Sequence, residues 1–324
     1  MLEQLTNYVY YLPAEATTDR PILGVVRGSR YTLVIDGGNS EAHARKLQHA
    51  ISKKFGAEHF GDADVNFVAV THHHWDHVFG LDAWDAPVLA EQRIATQLEY
   101  LSTLTWDDAA LNARVVDGTE VTFCRNMIQA ELPETPQNPR QVIVRLADIT
   151  FTDAITLDLG GVCCDVVHVG GEHAPDSCVV YVYEVDTSSD DNNATHDATK
   201  PAAQRNSVLF LGDCTYQNFY NGHSEASYDM QQLQSLLTRL AKFPATWYVT
   251  SHNEAAQDAP RFRQEMEQLT AIGITVEAHG FDGDLVLEML SRRYGLRSTE
   301  DTRELVRMFQ VGLRLRQQQS QDTI

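Results

Sequence analysis

The sequence predicts an α/β fold. Apolar runs of strand length recur along the chain, segments rich in helix formers lie between them, and no run stays apolar long enough to span a bilayer. The runs "YVYYL" (8–12), "PILGVVRG" (21–28) and "YTLVIDGG" (31–38) read as an opening antiparallel set that ends in a glycine turn after Asp36. Residues 40–55 then read as the first helix: Ser40 can cap it, and Ala42, Ala44, Arg45, Lys46 and Leu47 favour it. "VNFVAV" (65–70) is a buried-type strand that delivers the chain into Thr71. "EQRIATQLEYLSTL" (91–104) is helical in pattern, whereas residues 105–145 are mixed, polar and Pro-bearing, and read as an insertion near the site. Four further strands follow in "VCCDVVHV", "CVVYVYEV", "SVLFLG" and "ATWYVTSH". Residues 186–206, between the second and third of these, are too polar to bury and read as a solvated mobile loop, so His196 and the acidic residues there are not ligand candidates. Near the C-terminus, Ser298 with Asp301 three residues on is a capping signature, and Leu305, Phe309 and Leu313 follow at helical spacing. That segment reads as a helix packed on the body, with a dimer contact or a pocket lid as alternatives.

Composition narrows the function. With 324 residues, 43% of them hydrophobic, the chain can bury one large core or two modest ones. The formal charge of -20 (25 basic against 45 acidic residues) argues against nucleic acid, because phosphate binding is carried largely by Lys and Arg. A small-molecule substrate is expected instead, with no membrane partner and a homodimer as an open option. The first residues, "MLEQLTNYVYYLP", lack a basic segment followed by an apolar one, so a cytoplasmic location is expected. Five cysteines without CxxC spacing disfavour both a disulfide framework and a cysteine zinc knuckle.

The chemistry concentrates in "THHHWDHVFG" (71–80). In extended backbone His72 and His74 point one way and His73 the other, so a metal can join the first pair. Where the chain turns toward the next helix, Asp76 and His77 swing back to the same cavity and can hold a second ion. Imidazole nitrogen and carboxylate oxygen suit zinc, and also iron or manganese.

The pattern HxHxDH, intact as His72, His74, Asp76 and His77, resembles that of the metallo-β-lactamase superfamily. The likeness runs over roughly residues 6–255. It matches Asp36 to an early hydrogen-bonding aspartate, His173 to the third-motif histidine, Asp213 to a bridging carboxylate and His252 to the last histidine. It implies a four-layered αββα sandwich with metals at one edge, as a catalytic domain over 1–255 and a helical segment over 256–324 packed on it. It also implies two divalent metal ions, zinc first, with iron or manganese also fitting. His72, His74 and His173 would surround one ion, Asp76, His77 and His252 the other, and Asp213 would bridge them. One departure is Glu172, where the family commonly has glycine before the histidine. That makes His168 a competitor for the ligand role, although His173 follows a Gly-Gly turn that can reach the site. His43, His49, His59, His223 and His279 stand alone and read as structural, with His223 able to line a pocket.

Two divalent ions, two carboxylates and a hydroxide sum to about one positive charge, which suits carbonyl oxygens and anionic substrates. The implied reaction is hydrolysis of a carboxylic ester, lactone or thioester by a bridging hydroxide. Asp213 departs from the lactamase pattern, which wants Cys or Ser there, and Cys214 reads as a packed thiol. Tyr216, three residues after Asp213, resembles a tyrosine of acyl-homoserine lactonases that assists the oxyanion or leaving group. Asp76 and Tyr216 are therefore the candidate catalytic residues. A phosphodiesterase or nuclease of the same fold, and an iron-dependent oxidoreductase resembling persulfide dioxygenases or flavodiiron proteins, are the alternatives.

Overall fold

The computed structural model describes residues 1–56, 65–135, 137–185, 206–220 and 225–322. His59, His196, His223 and all of the expected loop 186–206 except Asn206 lie outside them. The described residues form two sheets. The first keeps chain order: β1 (Glu3–Gln4), β2 (Val9–Leu12), β3 (Leu23–Arg27), β4 (Thr32–Ile35), β5 (Phe67–Ala69), β6 (Val88–Glu91) and β7 (Ile149–Phe151). β1 to β4 pair antiparallel, with no α-helix between successive strands. From β4 onward the pairing is parallel, because helical segments carry the chain back between strands. These are α1 (Glu41–Phe55), the short α2 (Trp75–Val78), and the run α3 (Gln92–Ser102), α4 (Asp108–Asp117) and α5 (Thr122–Glu131). The stretch 105–145, read as a mixed, polar insertion near the site, contains two of these helices, α4 and α5.

The second sheet holds β8 (Ala154–Asp158), β9 (Val162–His168), β10 (Cys178–Glu184), β11 (Val208–Gly212), β12 (Trp247–Thr250) and β13 (Gln257–Asp258), in the order β13-β12-β11-β10-β9-β8. Only β11 and β12 are parallel in it, across α6 (Met230–Leu240). The chain continues as α7 (Ala259–His279), α8 (Gly283–Tyr294) and α9 (Glu300–Asp322).

Side-chain alternation along the strands builds the layers. In β10, Cys178, Val180 and Val182 enter the core between the sheets, while Val179 and Tyr181 enter a second core under α6 to α9. In β11, Val208 and Phe210 face the first core, Leu209 and Leu211 the second. Both faces are buried, which explains why these strands read as unbroken apolar runs. On the far side of the first sheet, Ala44, Leu47 and Ile51 of α1 and Ile94 and Leu98 of α3 complete the first core. The result is helix, sheet, sheet, helix, as the αββα expectation required. Phe309 and Leu313 of α9 join the second core, and Phe309 stacks on Tyr228 at 5.1 Å. The cap of α9 falls one residue later than the sequence pattern placed it: Thr299 Oγ1 accepts from Thr302 N (3.2 Å), and Ser298 Oγ instead accepts from Arg303 Nε (3.0 Å). Among the described residues no helix is long and apolar enough to cross a membrane.

The parallel pairs β4/β5 and β11/β12 direct four strand ends to one edge of the sandwich. Cys178 N donates to Thr71 O (2.7 Å) there and joins the two sheets. Gly212 closes β11 at that edge with φ +54, and a Cβ on it would sit 2.7 Å from Thr71 Oγ1. Glycine is therefore needed where the second sheet meets the residue that precedes the histidine motif.

Gly24 of β3 marks a close approach of the sheets, since a Cβ there would lie 2.7 Å from the Phe210 ring of the second sheet, and 3.0 Å from Ile35 Cδ1 of its own. Gly24→Val is expected to force these side chains off their rotamers and cost about 1–3 kcal/mol. Urea denaturation should give a lower midpoint at unchanged slope. An unchanged midpoint would mean that the sheets separate there without penalty.

Candidate metal centre

Asp36 leaves β4 with φ +66 and is buried. Its Oδ1 accepts from Thr71 N (2.7 Å), and its Oδ2 from Thr71 Oγ1 (2.9 Å) and His77 Nδ1 (2.8 Å). These bonds fix tautomers. The Thr71 hydroxyl gives its single proton to Asp36, so His72 Nδ1 must donate to Thr71 Oγ1 (3.2 Å) and His72 Nε2 keeps a bare lone pair. His77 donates through Nδ1 and likewise presents Nε2. His173 Nδ1 donates to Gln217 O (2.9 Å), and His252 Nδ1 lies 3.3 Å from Asp19 Oδ1. Three imidazoles, His72, His77 and His173, are thus held by hydrogen bonds at their outer nitrogens and turn their inner ones toward the cluster, the arrangement that metal-binding histidines require, while His252 bonds Asp76 through its inner nitrogen.

The inner atoms converge. His72, His74 and His173 form one group, and Asp76, His77, Asp213 and His252 another, with the ligating atoms of each group within 4.8 Å of one another. His74 points Nδ1 at His173 Nε2 (3.0 Å), and Asp76 Oδ2 lies 3.1 Å from both His77 Nε2 and His252 Nε2. Asp213 stands between the groups. Its Oδ2 is 3.9 Å from His72 Nε2 and 3.5 Å from His173 Nε2 on one side, and 3.6 Å from His77 Nε2 and 3.3 Å from His252 Nε2 on the other. His72 Nε2, His77 Nε2 and Asp213 Oδ1 are buried without a hydrogen-bond partner. A native fold rarely tolerates three such atoms together, and cations would satisfy them. The donor set, imidazole nitrogen and carboxylate oxygen, fits zinc, iron or manganese.

The surrounding charges divide the cluster, with burial dominating around His72, His74 and His173 and the carboxylates dominating around His77 and His252. Burial, followed by the neighbouring imidazoles, holds His72 and His74 well below the ordinary histidine pKa. Burial also lowers His173, although Asp213 opposes it. At His77 burial acts downward too, but Asp76, Asp36 and Asp213 outweigh it and raise the pKa well above the usual value. His252 is raised in the same way, with Asp213 and Asp76 overcoming burial.

The sequence placed every one of these seven residues near the others, and the fold brings all seven together. His73 turns outward to Asp176, 2.9 Å from both carboxylate oxygens. His168 ends β9 outside both groups, and its Nε2 lies 2.9 Å from Pro175 O, bracing the loop that carries His173. That loop turns through Gly170 (φ +61) and Gly171 (φ +147). Glu172, in place of the expected glycine, ties it to the start of α6: its carboxylate accepts from Asp229 N (2.5 Å) and Ser227 Oγ (3.2 Å). His43 is buried with its pKa pushed down to about 3 by desolvation, and His49 and His279 belong to neither group.

A cavity of about 340 Å³ opens over the cluster. Tyr216 lines it; its hydroxyl donates to Asn253 Oδ1 (3.3 Å) and accepts from His252 N (3.3 Å). Several lining residues carried no sequence signal: Asp19, Phe123, Phe219, Tyr220 and Asn253. Asp19 comes from an unremarkable polar loop, and Phe123 from the stretch whose helices were not foreseen. Cys214 is buried, and desolvation raises its thiol pKa.

Residues 23–187 match the family model described as metallo-beta-lactamase superfamily. The chain belongs to the metallo-beta-lactamase superfamily. No curated protein matches it. Among solved structures, the stereoselective inverting sec-alkylsulfatase of a Pseudomonas species aligns at 13% identity and TM-score 0.57, covering 95% of this chain and 49% of that one. A B3 metallo-beta-lactamase with an active-site glutamic acid aligns at 13% identity and TM-score 0.52, covering 82% and 86%. A HARLDQ-motif metallo-beta-lactamase mutant of Cronobacter sakazakii aligns at 15% identity and TM-score 0.47, covering 100% and 98%. The first two share the metallo-beta-lactamase fold with this chain. Members of the superfamily are metallo-hydrolases, and the two groups of His and Asp suit divalent metal ions.

Elemental analysis of single variants tests the ligand set. His72→Ala, His173→Ala and Asp213→Ala should each lose bound metal, while His73→Ala should retain it, because its imidazole faces Asp176. His168→Ala should lower stability more than metal content. Loss of the ion from His168→Ala but not from His173→Ala would reverse the assignment.

Proposed function

We propose that the protein hydrolyses a carboxylic ester, lactone or thioester at a centre of two divalent ions, zinc in the first instance. His72, His74 and His173 would hold one ion, Asp76, His77 and His252 the other, and Asp213 both. One observation carries this reading: Asp213 Oδ2 lies within 3.9 Å of imidazole nitrogens from both groups, at the floor of an accessible cavity. Two such cations, when bound, supply Lewis acidity toward a carbonyl oxygen and lower the pKa of a water between them toward neutrality.

The chain's own residues supply the rest. Thr71, Asp36 and Gln217 hold His72, His77 and His173 by their outer nitrogens, so these rings need not reorient when charge develops. Tyr216 keeps a neutral phenol, since burial, followed by Asp213, raises its pKa. Its proton rests on Asn253 Oδ1 through a long bond that a substrate oxygen can replace. The phenol can then donate where negative charge accumulates, on the carbonyl oxygen or on the departing oxygen. Trp75 and Tyr220 in the cavity wall limit water around that bond. Asp213 stands where the resemblance to lactamases wants Cys or Ser, which favours an oxygen ester over a β-lactam. The acidic chain disfavours a phosphodiester polyanion.

The purified protein is expected to carry two transition-metal ions per chain by elemental analysis and to turn over esters, lactones or thioesters faster than bis(p-nitrophenyl) phosphate or an alkyl sulfate. Tyr216→Phe should lower kcat and kcat/KM together, by about tenfold to a hundredfold for one lost hydrogen bond, with metal content intact. A parallel fall in metal content would make the phenol a brace for the His252 backbone instead. Faster phosphodiester cleavage, or oxygen consumption with bound iron, would overturn the assignment.

A further inference from the structure

The cavity is chemically lopsided in a way that hydrolysis alone does not explain. Three carboxylates face it, Asp19, Asp76 and Asp213, and among the described residues lining it there is neither lysine nor arginine. Residues 221–224 contain neither. Asp19 is fixed in place. It sits in left-handed backbone at φ +56, Thr18 O before it accepts from Asn39 Nδ2 (2.8 Å), and its own Oδ1 meets His252 Nδ1 at 3.3 Å. The charge count from the motif omitted it. With Asp19 included, three acidic side chains line the cavity and no lysine or arginine among the described residues offsets them, so the lining offers nothing to draw in an anionic substituent.

The rest of the wall is aromatic. Phe219 stands edge-on to His173 at 6.2 Å, and beyond it Phe123 lies nearly parallel, at 15° with centroids 6.5 Å apart. Phe123 is 47% exposed, a large apolar ring left at the mouth of a polar site. Its helix α5 is anchored at both ends. Glu131 pairs with Arg20 (2.7 Å) and accepts from Ser40 Oγ (2.5 Å), and Tyr220 Oη donates to Glu120 Oε1 (3.2 Å) just before the helix starts. The aromatic pair is therefore a fixed feature of the mouth.

We propose that the site selects uncharged carbonyl compounds whose apolar acyl or aryl group rests on Phe123 and Phe219, and discriminates against compounds that carry a negative charge on that group. The inference takes from the hydrolytic reading only that a carbonyl is the group presented to the cluster. Asp19 sets the discrimination by charge, and the aromatic pair supplies the affinity.

Calorimetric titration of the metal-loaded protein with two ketones tests it without turnover. The probes are 4-phenylbutan-2-one and 4-(3-oxobutyl)benzoate, which differ by a carboxylate at the far end of the ring. The uncharged ketone should bind at least about tenfold more tightly. Phe123→Ala should weaken it by about fivefold to tenfold at unchanged metal content. Asp19→Asn, which keeps an oxygen acceptor for His252 Nδ1 while removing the charge, should narrow the gap between the two ketones to about threefold or less. Equal or tighter binding of the carboxylated ketone to the unaltered protein overturns the proposal without reference to any variant. An unchanged affinity in Phe123→Ala removes the aromatic pair from it. If the uncharged ketone binds as expected but no ester, lactone or thioester is turned over, the hydrolytic reading fails and this one stands.

Discussion

A buried carboxylate at residue 36 sets the terms for the whole site. Placed at the end of β4 and shielded from water, Asp36 must have its acceptor oxygens satisfied, and Thr71 and His77 do this with three bonds. Leaving such a group unpaired would cost several kcal/mol, on the order of what a whole domain has in reserve. The bonds therefore dictate which hydrogen each neighbour gives away. Thr71 spends its proton on Asp36, His72 spends its own on Thr71, and His77 spends its own on Asp36. What remains is Nε2 of His72 and of His77, each facing Asp213.

This polar chain depends in turn on the packing of the two sheets. Gly212 lets β11 approach Thr71, Gly24 lets Phe210 enter against β3, and Cys178 N closes the gap by bonding Thr71 O. An edge assembled from β4, β5, β11 and β12 owes its rigidity to core packing around these strands, of which only Phe67, Trp247 and Tyr248 are half-buried. Side chains at strand ends inherit that rigidity, which is what a ligand set needs if it is to meet a metal ion without reorganising. Asp213 gains the most, since a single carboxylate can face both groups only if two sheets hold its neighbours in register.

The second layer of control comes from segments outside the sandwich. The loop bearing Asp19 and the helix α5 bearing Phe123 are tied together through Arg20, Glu131 and Ser40. The first brings a carboxylate to His252, and the second brings an aromatic ring to the mouth. Neither contributes an atom to the seven-residue cluster, yet together they decide what the cavity presents to a visitor. Glu172 acts similarly for the His173 loop, fastening it to the first turn of α6, where Asp229 also pairs with Arg316 of α9 (2.8 Å). The C-terminal helices are thereby linked to the histidine loop as well as packed on the second core.

The sequence by itself determined the parts whose physics is local. Strand alternation places His72 and His74 on one face and His73 on the other, and a strand feeding a short helix returns Asp76 and His77 to the same side. Unbroken apolar runs declared the buried strands, and Ser40 declared the start of α1, where His43 N donates to its Oγ (3.1 Å). Family resemblance extended this to His173, Asp213 and His252, because each follows a strand-like run. Other features were decided only by the tertiary structure. Nothing near Asp19 in the chain says that it will meet His252, and nothing near Phe123 says that it will face Phe219. The short helix α4 is weakly patterned, whereas α5 is about as amphipathic as α3 and its periodicity was legible in the sequence. Charge at a site is a sum over space. A reading along the chain counted two carboxylates where the folded protein assembles three.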